Sequence, residues 1–358
     1  MYKFTIIIPH KNIPHLLQRC LYSIPKRDDL QVIIVDDNSD PEIVDFENFP
    51  GIGEDNIEVV FTKEDKGAGY ARNIGLKFAK GEWLLFADAD DFYNYCINDI
   101  LDRHINSSCD IIFFDSCSLD CETYANSFRS AFTHEMIKLY AKNKEEGEFQ
   151  LRYYLGVPWS KIIKKDLIDK YKIRFDETQI TNDNTFSYLC GYYAQKIDVD
   201  PIAGYCITTR ADSLTFTPLS DEKILNKIDI SVRRHKFLAS HGIYLLDKVV
   251  PTRLSNLKRL GKTALYNKCV KIINEHGYEE EYFFQNRSWE PHWSYNTDDL
   301  SQDFLWSPFG SAMRGVYSHK GRQYVIMLYA YKLMQFLIRI KVALYSFIPS
   351  FKNKKRNR

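Results

Sequence analysis

The sequence predicts an α/β fold: a mostly parallel sheet flanked by helices, followed by a mainly helical C-terminal extension. Three observations carry this. Short, continuous apolar runs recur through the first 115 residues. Stretches with helical spacing separate them, the pattern of βαβ units whose strands are buried on both faces. After about residue 218 the Val/Ile runs fade and spacings of three and four dominate.

The first run is "FTIIIP" (4–9), followed by the helical "HLLQRCLYSI" (15–24). "QVIIVDD" (31–37) and "IEVVFT" (57–62) are the next runs, and "GYARNIGLKFAKG" (69–81) is a helix closing on Gly81. "WLLFAD" (83–88) and "CDIIFFD" (109–115) complete the set. Segments 220–241 and 252–276 read as helices. Residues 282–323 are aromatic and irregular, with Trp289, Trp293 and Trp306, and 324–348 form a long apolar stretch broken by Lys332, Arg339 and Lys341.

Composition narrows the classes. The chain has 358 residues, 45% apolar and 15% aromatic, which excludes wholesale disorder. With 48 Lys plus Arg against 47 Asp plus Glu, the net charge of +1 argues against a dedicated nucleic-acid binder. Five cations sit in the last seven residues, "KNKKRNR", so the body is mildly acidic. The eight cysteines include no CxxC pair, and "CSLDC" (117–121) lacks a histidine, so reduced thiols are expected rather than a zinc site. The opening "MYKFTIIIP" is too short for a signal-peptide core and reads as a strand of a cytoplasmic protein.

Parallel sheets bind ligands at the carboxyl ends of their strands, so the polar residues ending each run are the candidates. "LLFADADDF" (84–92) drives a buried strand into Asp88, Asp90 and Asp91. Such crowding needs water or a hard cation such as Mg²⁺ or Mn²⁺, which takes carboxylate oxygens and shares them with phosphate. The alternative is an acidic first turn of a helix beginning near Phe92. "VIIVDDNSD" (32–40) ends in Asp36 and Asp37, suited either to a base or ribose donor or to capping the next helix. "KGAGYARNIGL" (66–76) misses a dinucleotide fingerprint, because Arg72 stands where the third glycine belongs. Its glycines allow close approach of the helix start, and Arg72 would meet an anion. "ITNDNTF" (180–186) offers Asp183 as a helix cap or a catalytic base, and "RADSLT" (210–215) offers Arg210 and Ser213 to a diphosphate or a surface turn.

Taken together, "FTIIIPHKN", "VIIVDDNSD", "KGAGYARNIGL", "GEWLLFADADDF", "VPWSKIIKKDLI", "IRFDETQITNDNTF" and "RADSLT" occur in the order seen in family 2 glycosyltransferases of the GT-A fold. The set resembles the bacterial members that build capsular, lipopolysaccharide or teichoic-acid glycans, over residues 1–216. The resemblance implies a GT-A catalytic domain over 1–216 and an inverting transfer of a sugar from a nucleotide diphosphate, commonly UDP, to a hydroxyl of a glycan or lipid-linked saccharide. Carried over by position, Pro9 ends the first strand beside the base and Asp37 accepts from the base ring. Asp88 contacts ribose, Asp90 ligates Mn²⁺ or Mg²⁺, and Asp183 is the general base. Trp159 and Lys161 match a W-x-K element that shapes the pocket. The family's usual Glu before the base is Asn182 here, which bears on acceptor contacts. Residue types alone suit the same chemistry: a base for the alcohol, with a metal and Arg210 for the departing diphosphate. The alternatives are a sugar nucleotidyltransferase and an inactive nucleotide- or carbohydrate-binding module.

Beyond the catalytic domain, 217–323 is expected to be a helical and aromatic region, and 324–358 an amphipathic helix with a basic tail. No uncharged run there is long enough to span a bilayer. The apolar face and the cations suit an anionic membrane surface instead, placing the protein peripherally on the inner face of the cell membrane. Packing on the catalytic domain or a homo-oligomeric contact is the alternative for that helix.

Overall fold

Phe4–His10 forms β1, the strand from which the sheet is laid out in both directions. In the computed structural model, residues 2–127, 129–210 and 219–285 are described, and all of them fall in one compact unit. After β1 come α1 (Pro14–Ser23), β2 (Leu30–Asp37), β3 (Ile57–Thr62), α2 (Ala68–Phe78) and β4 (Trp83–Phe86). The chain continues through β5 (Phe92–Tyr93), α3 (Ile97–His104), β6 (Ile111–Asp120), α4 (Ala131–Lys142) and α5 (Lys144–Tyr153). Then follow β7 (Lys161–Lys164), α6 (Lys165–Lys170), α7 (Asn184–Tyr193) and β8 (Ile197–Thr209). Four further helices are α8 (Asp221–Ser240), α9 (Val249–Arg259), α10 (Thr263–Glu275) and α11 (Glu280–Gln285).

The eight strands run in the order β3-β2-β1-β4-β7-β6-β8-β5. Strands β1, β2, β3 and β4 are parallel, as is the β6–β8 pair. β7 runs antiparallel to both β4 and β6, and β5 antiparallel to β8, so the sheet is mixed. Period-two alternation gives the sheet two apolar faces. Phe4, Ile6 and Ile8 of β1 join α1 and α3 on one side, whereas Ile7 joins α2, α5, α6 and α7 on the other. Each fully buried Ile or Leu contributes about 1.5–3 kcal/mol, which favours the apolar runs of the first strands; the buried Thr5 of β1 donates to Gln31 of β2 (2.9 Å).

Several boundaries differ from expectation. The helix expected to close on Gly81 ends at Phe78, and Gly81 instead presses on the backbone of Phe4 and Thr5. Pro9 does not end β1, which continues to His10. No helix begins near Phe92: β5 pairs there with β8, and α3 starts at Ile97. The helix expected over 252–276 is two, broken where Gly261 takes φ +65°. All eight cysteines are free thiols.

Helices α8 to α10, with α11, enclose a small core of Ile228, Val232, Leu254, Leu257, Cys269 and Phe283. The end of α8 also packs on α7 through Tyr188 and Leu238. Among the described residues no helix is long and apolar enough to cross a membrane. Ser213, the three tryptophans, the 324–348 stretch and the basic tail lie outside the described residues.

Candidate active site

Chain order reverses at β1, with β2 and β3 on one side and β4 on the other. Ligands bind at such switch points. Pro9 marks the place. The Ala87 amide donates to the Ile7 carbonyl (3.2 Å), so Ile7, and Pro9 two residues on, present their backbone groups toward β4. β4 ends at Phe86, so the donor that Pro9 lacks falls where no strand remains to be paired.

Beyond β4 the chain turns through Asp88, Asp90 and Asp91, each with a carboxylate oxygen within 4.8 Å of the others. β8 holds this turn. The Asp88 amide donates to Tyr205 Oη (2.9 Å), and the Tyr205 hydroxyl donates to Asp91 Oδ2 (3.0 Å). The Thr208 amide donates to Asp91 Oδ1 (2.6 Å) and its hydroxyl to the Asp90 carbonyl (2.6 Å). Trp159 stacks on Tyr205 with ring centroids 5.5 Å apart. Asp91 is therefore buried with both oxygens engaged, a positioning residue rather than a ligand. The side chains of Asp88 and Asp90 keep 34% and 23% exposure. Burial and the neighbouring carboxylates push the pKa of Asp90 up and that of Asp91 well up, with nearby arginines opposing. Arg210 Nη2 stands 3.3 Å from Asp90 Oδ2. An oxygen-only donor set with this charge suits a hard divalent ion, and Asp90 is the residue that would hold it.

Arg72, in the first turns of α2, links this turn to the other candidate. Its Nη2 donates to Asp88 Oδ1 (2.6 Å) and its Nη1 to Asn182 Oδ1 (2.9 Å), above the ring of Phe175. The anion it meets is thus Asp88. Asp183 follows Asn182 directly and precedes α7, yet its side chain makes no capping hydrogen bond. It is partly exposed, and the protein packed round its carboxyl raises its pKa, with Arg72 opposing. A carboxylate more basic than usual, with its oxygens not spent on the helix, has the properties of a general base.

The glycines of "KGAGYARN" do two jobs. Gly67 takes φ +90° and turns its amide onto Asp37 Oδ2 (2.6 Å). A Cβ on Gly69 would lie 2.0 Å from the Asp176 carbonyl, so α2 can abut the 176–182 segment only without one. Asp37 also accepts from the Lys66 amide (3.2 Å). It thus braces the entry to α2, not a helix directly after β2. Its neighbour Asp36 accepts from His10 Nδ1 (2.7 Å) and the Ser39 hydroxyl (2.5 Å), tying the loops after β1 and β2 together. Lys161 is buried and donates to the carbonyls of Leu155 (2.7 Å) and Val157 (2.6 Å). The sequence reading missed Tyr205 and Thr208, which sat inside an apolar run, and Arg19, whose Nη2 donates to the Asp90 carbonyl (2.5 Å).

Residues 5–171 match the family model described as Glycosyl transferase family 2. Over these residues, a little under half of its length, the chain is similar to family 2 glycosyl transferases. EpsH of Bacillus subtilis (strain 168), named as a glycosyltransferase, is 24% identical over 209 residues, covering 54% of this chain and 57% of its own. A PGL/p-HBAD biosynthesis glycosyltransferase of Mycobacterium bovis is 39% identical over 92 residues, 25% of this chain and 35% of its own. The chain thus spans little more than half of one relative and about a third of the other. Among solved structures, S. aureus TarS 1–349 in complex with UDP-GlcNAc aligns with a TM-score of 0.50 at 22% identity, covering 66% of this chain and 71% of that one. That likeness concerns the fold alone, which is of the GT-A type. The family 2 match takes in β1 through α6 and so includes the acidic turn, Arg72 and Lys161; Asp183 and Arg210 lie beyond it.

Proposed function

We propose that this chain moves a hexose or N-acetylhexosamine from a nucleotide diphosphate, in the first instance UDP, to a hydroxyl of a glycan or lipid-linked acceptor in surface polysaccharide synthesis, with inversion. The observation that carries the reading is the Arg72 bridge, which holds the acidic turn and the Asp183 segment on opposite sides of one guanidinium. In this reading Asp37 and Pro9 face the base and Asp88 the ribose. Asp183 takes the proton of the acceptor hydroxyl as its oxygen attacks the anomeric carbon. A divalent ion at Asp90 would supply a Lewis acid for the departing diphosphate. Arg210 and Ser213 would bind the same phosphates. The Asn182 amide oxygen accepts a hydrogen bond from Arg72, so it orients Arg72 where the family's Glu would add charge. UDP as donor draws support from the UDP-GlcNAc complex of the structural relative.

The proposed division is a catalytic domain over 1–216, a helical region over 217–323 and a membrane-surface segment over 324–358. A nucleotidyltransferase reading is weakened by the family match, and an inactive module by the presence of both Asp90 and Asp183. The test is release of UDP or GDP from a panel of sugar nucleotides with Mn²⁺, repeated with Asp183→Asn. Turnover should fall about 10²–10⁴-fold with nucleotide affinity kept, the usual worth of a general base. A variant with more than about half of wild-type activity would reduce Asp183 to a structural residue. Flotation with anionic liposomes, comparing the full chain with one ending at Gln323, tests the membrane segment; equal flotation would remove it.

A further inference from the structure

Two cations on the helical segment have no part in the chemistry above. Lys227 on α8 and Arg253 on α9 are both half-buried. Among the described residues neither has a carboxylate at ion-pair distance or a hydrogen-bond partner. The other arginines nearby are engaged. Arg233 donates to Asp229 (2.8 Å) and Asp176 (3.2 Å), and Arg234 donates to Asn184 Oδ1 (3.2 Å). These contacts clamp α8 against the turn that carries Asp183. Lys227 lies seven residues before Arg234, hence on the same helix face about two turns away. The charges of Asp183 and Arg253 both reach Lys227, and burial depresses the pKa of both cations. Two half-buried like charges without an anion cost stability, and packing alone would be served better by Leu or Met.

We propose that Lys227 and Arg253 bind a phosphate group of the acceptor beside Asp183. The site is on the side of the base, where the acceptor hydroxyl must arrive, so the proposal rests on the glycosyl-transfer reading. A guanidinium fork and an ammonium on two packed helices suit one tetrahedral anion approached from two directions. The phosphate belongs either to a prenyl diphosphate carrier or to a phosphodiester in a polymer chain.

The test uses the full chain with UDP and Mn²⁺ present, titrated calorimetrically with farnesyl diphosphate, glycerophosphoglycerol and glucuronate. Wild type should bind at least one phosphate probe more tightly than glucuronate. Lys227→Gln/Arg253→Gln should weaken that binding about tenfold or more, as loss of charge-assisted hydrogen bonds does, while Lys227→Arg retains most of it. Farnesyl diphosphate binding alone supports a lipid carrier, and diester binding alone a polymer. The double variant should melt no lower than wild type, having shed two unpaired charges. Unchanged phosphate affinity in the double variant, no phosphate binding by wild type, a preference for glucuronate, or an equal loss of UDP affinity would each overturn the site. Wild type that binds phosphate through these residues but turns over no sugar nucleotide would defeat the glycosyl-transfer reading instead.

Discussion

Lys161 gives a quantitative test of how the site is braced. Its buried ammonium has a pKa pushed down to about 8, against 10.5 for an ordinary lysine, chiefly by desolvation. Between those values the unfolded chain holds a proton that the folded chain has released, so stability rises with pH across that window. Below it both states are protonated and the folded protein carries the whole penalty. The gap corresponds to about 3 kcal/mol, of which roughly 2 kcal/mol is realised between pH 7.5 and pH 10. Lys161→Met keeps the length and removes the titration. It also leaves the carbonyls of Leu155 and Val157 without their donor, at ~1–3 kcal/mol each if they stay dry. The assay is urea denaturation of both proteins at the two pH values. Groups common to both cancel in the difference, which should move by about 2 kcal/mol in the wild type's favour as pH rises. Parallel pH profiles would refute the reasoning, because they would mean that the amine is not held charged in a dry site. The variant should also turn over more slowly. The Ser187 hydroxyl of α7 donates to the Gly156 carbonyl (2.7 Å), so a shifted 155–157 segment moves the helix that follows Asp183.

Three further outcomes are expected. UDP affinity measured by calorimetry should be much higher in Mn²⁺ than in EDTA for wild type and nearly equal for Asp90→Ala; equal wild-type values would remove the metal from the mechanism. Gly69→Ala forces a Cβ to within 2.0 Å of the Asp176 carbonyl, and thermal denaturation should register a loss of about 1–3 kcal/mol together with weakened activity. Tyr205→Phe deprives buried Asp91 of a donor and the Asp88 amide of its acceptor. It should cost roughly 1–3 kcal/mol and loosen Mn²⁺-dependent UDP binding, both absent if the turn is held otherwise.

The first strands were legible because burial on both faces keeps Ile6–Ile8, Val32–Val35 and Trp83–Phe86 apolar up to the strand ends, the buried Thr5 and Gln31 bonding to each other near the start. β7, read from "KIIK", and the two-residue β5 were not, since each is too short for a pattern and is defined by partners far along the chain. The carboxylates at Asp88 and Asp90 stand out as charges abutting an apolar run, and Asp183 as one just before a helical pattern. Their supports do not. Tyr205 and Thr208 reach the acidic turn across 117 residues, and nothing in "YCITT" distinguishes a hydroxyl facing a carboxylate from one facing lipid-like core. In the sequence Arg72 suggests a ligand for an outside anion, because its two partners, Asp88 and Asn182, are brought together only by the folded chain. Lys227 and Arg253 look like any basic helix position until the absence of a partner among the described residues is visible.

Pro9 carries a consequence of its own. Parallel strands zip together one hydrogen bond at a time, and β1 and the chain after β4 keep company until the Ala87 amide meets the Ile7 carbonyl. A residue with no amide proton is a terminator written into covalent structure: the zipper has no next tooth. Past that point the Asp88 amide turns to Tyr205 instead, and the acidic turn begins where the zipper stops.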